Sequence, residues 1–431
     1  MKNKSQITFI VLLHFRAWIR YTRRPHFSSI NKFANLIVVE SPLIIFSNDF
    51  FRNFLVSIKN YLRYSKGIRT DKRSGAKIVR PILIFPEKLK NKFLLLSKID
   101  SLVLNKSLNK ALSGKYSNSV LCLTSRSQKW IIPKFKNHFL MLDINDEWSM
   151  MPYDKDRRPE IEKDVRKIIQ NIDLATAVTE ELKNKYNEKN NVEFIPNAVD
   201  VSHYCPKFDK CTEGKKEESI HEIVDLKFIE KEKNDPRKYE TDLSIFQKHK
   251  PPFVGSYSGL SGNWSDFAFM SEVEKLLPSE FTMIASGNIH PPSHPNYQSE
   301  YKNYLANQRM LYLGYVDYSS LPNFLEKLNV SLVMHRADDF NIHSAPNKIW
   351  AYLAMGLPVV STDFLNEPDK IIYEGLVKFA KTPREYVDFI IDEYNSDTIE
   401  KKMLRRRLAI KYSTDNRAKK IIDLIQDRIQ T

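Results

Sequence analysis

Short apolar runs recur along this chain at intervals that leave room for a helix between each pair. ITFIVLLHF, NLIVVES, KIVRPILIF, SVLCLTS, HFLMLDIND, LATAVT and VEFIPN occupy the first half, and PFVGSYSG, FTMIASG, MLYLGY, VSLVMH and PVVSTD the second. Short continuous apolar runs read as strands buried on both faces, and neighbouring parallel strands need a long crossover, usually helical. The chain is therefore read as α/β, with βα units around parallel sheets. Between the two series, from about Pro206 to Lys250, the sequence becomes charged and loses its core patterning. A chain of 431 residues also exceeds what one core usually organises. The expected division is a first domain over residues 1–205, a charged linker or insertion over 206–250, a second domain over 251–397, and a charged helical tail over 398–431. Two Rossmann-like domains with a cleft between them is the architecture this pattern implies.

Charge is spread unevenly. Residues 1–140 hold 27 Lys and Arg against 5 Asp and Glu, a balance of +22, and the remaining 40 against 47 give −7. Such a one-sided excess directs the first half at something anionic. Nucleic acid is the weaker option, because no helix-turn-helix, zinc-finger or RNP signature accompanies the charge. An anionic membrane surface is the other. FFRNFLVSIKNYLRYSK gathers Phe50, Phe51, Phe54, Leu55, Ile58, Tyr61 and Leu62 on one helical face, and KLKNKFLLLSKIDSLVLNKSLNKAL does the same with Phe93, Leu96, Leu104 and Leu108. A core-facing helix stays open for each. The basic start MKNKSQITFIVLLHFRAW resembles a signal peptide, but its apolar run stops at His14 and Arg16 and no cleavage site follows, so it reads as a buried first strand. No run of about 20 apolar residues spans a bilayer. Cys122, Cys205 and Cys211 lack metal-ligand spacing, and a reducing cytosol is expected rather than a disulfide framework.

The stretch SAPNKIWAYLAMGLPVVSTD raises a sharper question. It reads as a helix that Ser344 caps, with Pro346 in its first turn and Gly356 at its end, leading into a strand. From Ala345 to Val360 its one charged side chain is Lys348. A cation at a helix amino end opposes the helix dipole. Beyond the carboxyl end of a parallel strand, however, ligands collect, and free amides there favour an anion. Lys348 is well placed if a phosphate or diphosphate sits between. The alternative is an ammonium paired with Asp338 or Asp339.

In order along the chain, several segments resemble the GT-B glycosyltransferases of the family-4 type, near those that build bacterial cell-surface polysaccharides of the teichuronic-acid kind. TRRPHFSSINKFANLIVVESP resembles their Arg-Pro-His segment and second strand, and MLDINDEWSMM their Y-D-x-x-D-D-W stretch. IDLATAVTEELKNKYN with NVEFIPNAVDVSHY resembles ADLVFVTSEEL and IPNGVD. VGSYSGLSGNWSDFAFM resembles the loop that opens their second domain, and YLGYVDYSSLPNFLEKLNVSLVMHR with SAPNKIWAYLAMG completes the donor half.

The resemblance implies a C-terminal domain holding a nucleotide-diphospho-sugar, an N-terminal domain holding a lipid-linked or polysaccharide acceptor, and retention of anomeric configuration. It implies no cofactor and no metal, because fixed dipoles and cations stabilise the departing diphosphate. On the donor side it assigns Lys348, Ser344 and Asn347 to the diphosphate, with Arg336 and His343 assisting. Tyr315 and Val316 would flank the nucleobase, and the turn through Gly259, Ser261 and Gly262 would approach the sugar. On the acceptor side it makes Arg23 and Arg24 anion holders and His26, Asp143 and Asp146 the candidate catalytic groups. Trp264 and Asp266 fit structural roles, and Asn197 a hinge. One departure stands out. Where the family carries a ribose-binding glutamate, this chain has Ala351, and the earlier acidic position is His343. The expectation is a cytoplasmic glycosyltransferase, peripheral on the membrane's inner face. Its competitors are a catalytically weak partner subunit of a glycan-assembly complex and a GT-B-type nucleotide-sugar epimerase.

Overall fold

The structure is a computed structural model that describes residues 7–13, 24–40, 43–44, 69–72, 74–112, 119–151, 156–209, 245–257, 260–287, 289–292 and 295–430. The amphipathic segment at residues 50–66, most of the charged insertion, Arg23 and Gly259 lie outside these residues. The chain divides into two compact units. One comprises Met1–Ser149, Asp156–Pro196 and Thr414–Thr431, the other Met150–Lys155 and Asn197–Ser413.

The strands of the first unit are β1 (Thr8–Leu12), β2 (Asn35–Val39), β3 (Leu43–Ile44), β4 (Arg69–Thr70), β5 (Lys77–Val79), β6 (Ile82–Leu83), β7 (Ser119–Leu123), β8 (Phe139–Ile144), β9 (Leu174–Ala177) and β10 (Val192–Phe194). Eight of them form one sheet in the order β10–β9–β8–β7–β1–β2–β5–β4, and β3 pairs with β6 apart from it. Strand β1 is parallel to both neighbours, with Ile10 opposite Ile37 and Leu121; the one antiparallel pair among these is β4 with β5. The run read as a first strand is thus the centre of a sheet, and Phe9, Ile10 and Val11 are fully buried. An apolar strand covered on both faces needs no polar alternation.

The second unit contains β11 (Phe253–Ser256), β12 (Leu260–Ser261), β13 (Thr282–Ala285), β14 (Ile289–His290), β15 (Leu311–Tyr312), β16 (Val330–Val333), β17 (Val359–Thr362) and β18 (Val377–Ala380). Six of these make a sheet ordered β15–β13–β11–β16–β17–β18, parallel in every pairing. Alternate residues feed two cores. Val330 and Leu332 join one with Val254 and Val360, while Val333 joins the other with Ile284 and Val359. The helix Asn347–Ala354 packs its residues from Ile349 onward completely into the latter.

Two sequence expectations change here. The first domain ends at Pro196 rather than at residue 205, because Val199 and Tyr204 belong to the second unit's core. The tail over 398–431 is not one piece. Its first helix, Ile399–Lys411, gives Leu408 and Ala409 to the second unit, whereas Thr414–Gln430 returns to the first. In that last helix Ala418, Ile421, Ile422 and Ile425 fall on one face and enter the core around Phe9 and Phe27. Cys122 is a buried thiol in β7.

A buried ion pair fixes the returning helix. Arg417 Nη2 donates to Asp143 Oδ1 at 3.0 Å, both side chains are almost wholly buried, and Thr176 Oγ1 donates to the same oxygen at 2.8 Å. Removing one partner of such a pair leaves an uncompensated charge in the interior. Arg417→Met is expected to destabilise the first unit by about 3–5 kcal/mol. Arg417→Met combined with Asp143→Asn should recover most of that loss, as read from the unfolding midpoint.

Candidate functional site

In open parallel sheets, ligands bind outside the carboxyl ends of the strands where the strand order reverses. In the second unit that reversal lies between β11 and β16. Strand β11 runs out through Ser256 into Tyr257. The Tyr352 hydroxyl, from the helix Asn347–Ala354, accepts the Tyr257 amide at 3.1 Å and lies 3.2 Å from Ser256 Oγ. Strand β16 runs out through Met334 into His335 and Arg336, a backbone held on both sides. Thr362 Oγ1 donates to the His335 carbonyl at 2.6 Å, Asp266 N–H to the Met334 carbonyl at 3.0 Å, and Arg336 N–H to the Trp264 carbonyl at 2.8 Å.

The His335 ring is 6% exposed, stands 4.9 Å from the Phe364 ring, and has no hydrogen-bond partner at Nδ1 among the described residues. Burial, and then the charge of Lys348, hold it well below the usual histidine range. Lys348 itself is half-buried and makes no ion pair among the described residues; burial brings its ammonium down to about 8. Asp338, the expected partner, instead accepts from the Asn341 amide and side chain at 2.9 and 3.1 Å. Ser344 Oγ and Asn341 Oδ1 are buried and likewise unpartnered among the described residues. The helix begins at Asn347 with Pro346 as its cap residue, so Ser344 stands two residues ahead and does not cap it. Its first amides, at Asn347 and Lys348, precede the first backbone bond, Ile349 N–H to the Pro346 carbonyl at 3.2 Å. The Lys348 ammonium, the His335 ring, an uncapped helix start and a spare hydroxyl therefore lie together, with no anion among the described residues to balance the ammonium. Asn197 supports this turn from below, donating from Nδ2 to the Ala345 carbonyl at 2.7 Å.

Other donor-side residues fall differently. Arg336 is neither spare nor paired with Asp338 or Asp339. It bonds Glu300 at 2.7 Å, lies 3.9 Å from Asp266, and stacks 3.8 Å over the Tyr297 ring. Its charge is already met, which removes the reason to expect it at a phosphate. Gly262 follows β12, and a Cβ there would come within 2.2 Å of the Pro292 backbone nitrogen. That glycine is thus demanded by chain packing rather than by an approaching ligand. The side chain of Ser261, in β12, is not among the described atoms. Tyr315 is half-buried past the end of β15, and Val316 is buried in the core. His343 is buried in the turn Asn341–His343 and Asn347 is exposed. Ala351 is 2% exposed and offers only a methyl group. Asp266 caps the helix Phe267–Leu276 by accepting the Phe269 amide, and Trp264 packs edge-on against Phe340, the structural roles their positions suggest.

In the first unit, Asp143 is buried and its Oδ1 is taken up by Arg417 and the Thr176 hydroxyl. Asp146, three residues on, is half-buried and accepts from Asn145 Nδ2 at 2.8 Å. His26 is buried in the helix Arg24–Ser28, where the Arg24 side chain is not described. His335 and Tyr352 are the site residues that the motifs did not mark. The available signals were a polar side chain just past a buried strand and a tyrosine one helical turn after Lys348.

No family model matches the chain, and no curated protein matches it. Solved structures do. A glycosyltransferase from Rickettsia africae superposes with a TM-score of 0.60 at 13% identity, covering 100% of both chains. Sucrose-phosphate synthase from Thermosynechococcus elongatus gives 0.60 at 12%, covering 99% of this chain and 100% of that one. HepE from Anabaena, solved with UDP and glucose, gives 0.58 at 12%, covering 97% and 99%. The fold is that of the GT-B glycosyltransferases, with its two Rossmann-like domains.

The low ammonium pKa gives a pH signature. Burial penalises protonated Lys348, so without an anion its contribution to stability rises with pH between about 8 and its ordinary value of 10.5. A bound anion restores the proton. Sulfate, whose charge is constant over this range, should therefore raise the melting temperature at pH 7 and lose most of that effect by about pH 9. In Lys348→Gln, thermal shift should show little protection at either pH.

Proposed function

We propose that this chain is a glycosyltransferase whose second unit binds a nucleotide-diphospho-sugar through Lys348, His335, Ser344 and the amides at Asn347 and Lys348. The observation that carries the proposal is the Lys348 ammonium beside the His335 ring at the strand-order reversal, with no ion pair to Lys348 among the described residues. Structural likeness to proteins solved with UDP-glucose supports a donor of that class. Fixed charges and dipoles aimed at a departing diphosphate lower the barrier because they need no reorganisation as charge develops, so the proposal invokes no metal or resident cofactor. A lipid-linked or polysaccharide acceptor in cell-surface glycan synthesis, on the inner membrane face, fits the basic first half of the chain. In the first unit Asp146 takes over the acceptor-side role expected of Asp143, whose carboxylate is already neutralised.

A second reading has its own observation. Ala351 cannot accept the ribose hydroxyls, and a chain that holds diphosphate without holding ribose would serve as a catalytically weak partner in a glycan-assembly complex.

Calorimetry with UDP, GDP, ADP and CMP separates these readings. One nucleoside diphosphate should saturate the wild type, and Lys348→Ala should weaken it by about tenfold to a hundredfold, the loss of a charge-assisted contact. Saturable binding without turnover of any sugar nucleotide would favour the partner reading. Absence of binding at millimolar concentration would overturn the transferase.

A further inference from the structure

The helix Glu87–Lys92 and the first half of the helix Leu94–Leu112 carry their polarity inside out. Their buried side includes Lys90, Ser97, Asp100 and Ser101. Their exposed side includes Leu89, Phe93, Leu94, Leu95 and Leu102, with Leu95 68% and Leu102 70% exposed. The sequence pattern had placed Phe93, Leu96, Leu104 and Leu108 on one apolar face. The structure divides them: Leu104 and Leu108 are buried, Leu96 is half-buried, and Phe93 is exposed.

The inversion is locked from within. Asp100 accepts the amides of Ile84 and Phe85 at 2.8 and 3.1 Å and lies 3.4 Å from Lys90 Nζ, which sits 3.9 Å over the Trp130 ring. Rotating either helix to hide its leucines would strip Asp100 of these partners and leave a charge in the interior, which costs several kcal/mol. The leucines therefore stay outside. Leu95 and Leu102 are seven residues apart, on the same face, and Lys98 and Lys106 continue that stripe. Lys88, Lys92, Lys98, Lys106 and Lys110 are all exposed, whereas Asp100 is buried and Glu87 half-buried, so the exposed surface of residues 87–112 bears lysines and no exposed carboxylate.

An outward leucine row edged by lysines, in the strongly basic part of the chain, matches an anionic bilayer on both counts: acyl chains for the leucines, lipid phosphates for the ammonium groups. We infer that this two-helix face is a lipid-docking surface that seats the first unit on an anionic membrane. The inference deepens the membrane-face part of the proposed function, but does not depend on sugar transfer. Charge at its edge brings the protein to the surface, and the leucines give it depth there.

Co-sedimentation of the full chain with phosphatidylcholine vesicles, and with vesicles containing about one-third phosphatidylglycerol, tests it. The wild type should partition to the anionic vesicles, and raised salt should weaken this without abolishing it. Leu94→Ser/Leu95→Ser/Leu102→Ser should reduce partitioning by about tenfold or more at unchanged melting temperature, since these side chains leave water only on docking. Lys88→Glu/Lys92→Glu/Lys98→Glu should abolish the preference for anionic lipid. Both variants should bind nucleoside diphosphate as the wild type does, and that separates failure of this surface from failure of the donor site. No binding of the wild type to anionic vesicles, partitioning unchanged in both variants, or binding to duplex DNA in place of vesicles would each overturn the inference.

Discussion

Lys348 has to keep its proton in a place that penalises it. Burial drives its ammonium down to about 8, its charge in turn helps hold the buried His335 well below the usual histidine range, and no carboxylate pairs with it among the described residues. A charge in that position persists because the surroundings cannot relax around it. Thr362 holds the His335 carbonyl, Tyr352 holds the end of β11, and Asn197 holds the turn ahead of the helix. These contacts come from elements far apart in sequence and converge on one strand-order reversal. A site pre-formed in this way need not reorganise when an anion enters, and the electrostatic benefit is then available in full.

The first unit follows a different logic. Its acidic residue at the end of β8, Asp143, is committed to Arg417 on the last helix, so the carboxylate holds the fold together rather than facing a substrate. The same residue type at two nearby positions thus has two fates. Asp143 is neutralised by a cation from 274 residues away, while Asp146 stays half-exposed. Arg336 behaves like Asp143, because Glu300 and Asp266 satisfy it before any ligand can.

Much of the fold was legible because it rests on local pattern. The apolar runs mark strands, and Gly356, at φ +72, ends the helix where a Cβ would strike the Phe208 ring. The site was legible at Lys348, whose isolation in an apolar helix is visible in sequence. What stayed hidden depends on distant partners. Nothing near Asp143 announces Arg417, nothing near Arg336 announces Glu300, and nothing in the tail shows that Ser413 and Thr414 fall in different units. The outward leucines were hidden for a related reason. Periodicity shows that a helix has two faces, but the bonds from Ile84 and Phe85 to Asp100 decide which of them turns inward.

The alanine at position 351 bears on selectivity as well as on affinity. Residues three apart on a helix are neighbours, so a glutamate there would stand one turn from Lys348 and offset part of its charge. With Ala351 the helix start keeps its full positive potential and loses a group that could tell ribose from another diol. In the proposed donor site, binding energy would then shift toward phosphate and away from ribose, two parts that UDP, GDP and ADP share. Under the proposed reading, discrimination between donors would fall to the segments just past β13 and β15, where the Gly287 amide donates to the Gly314 carbonyl at 2.7 Å. Tyr315, half-buried just beyond, is the residue that the resemblance assigns to the nucleobase.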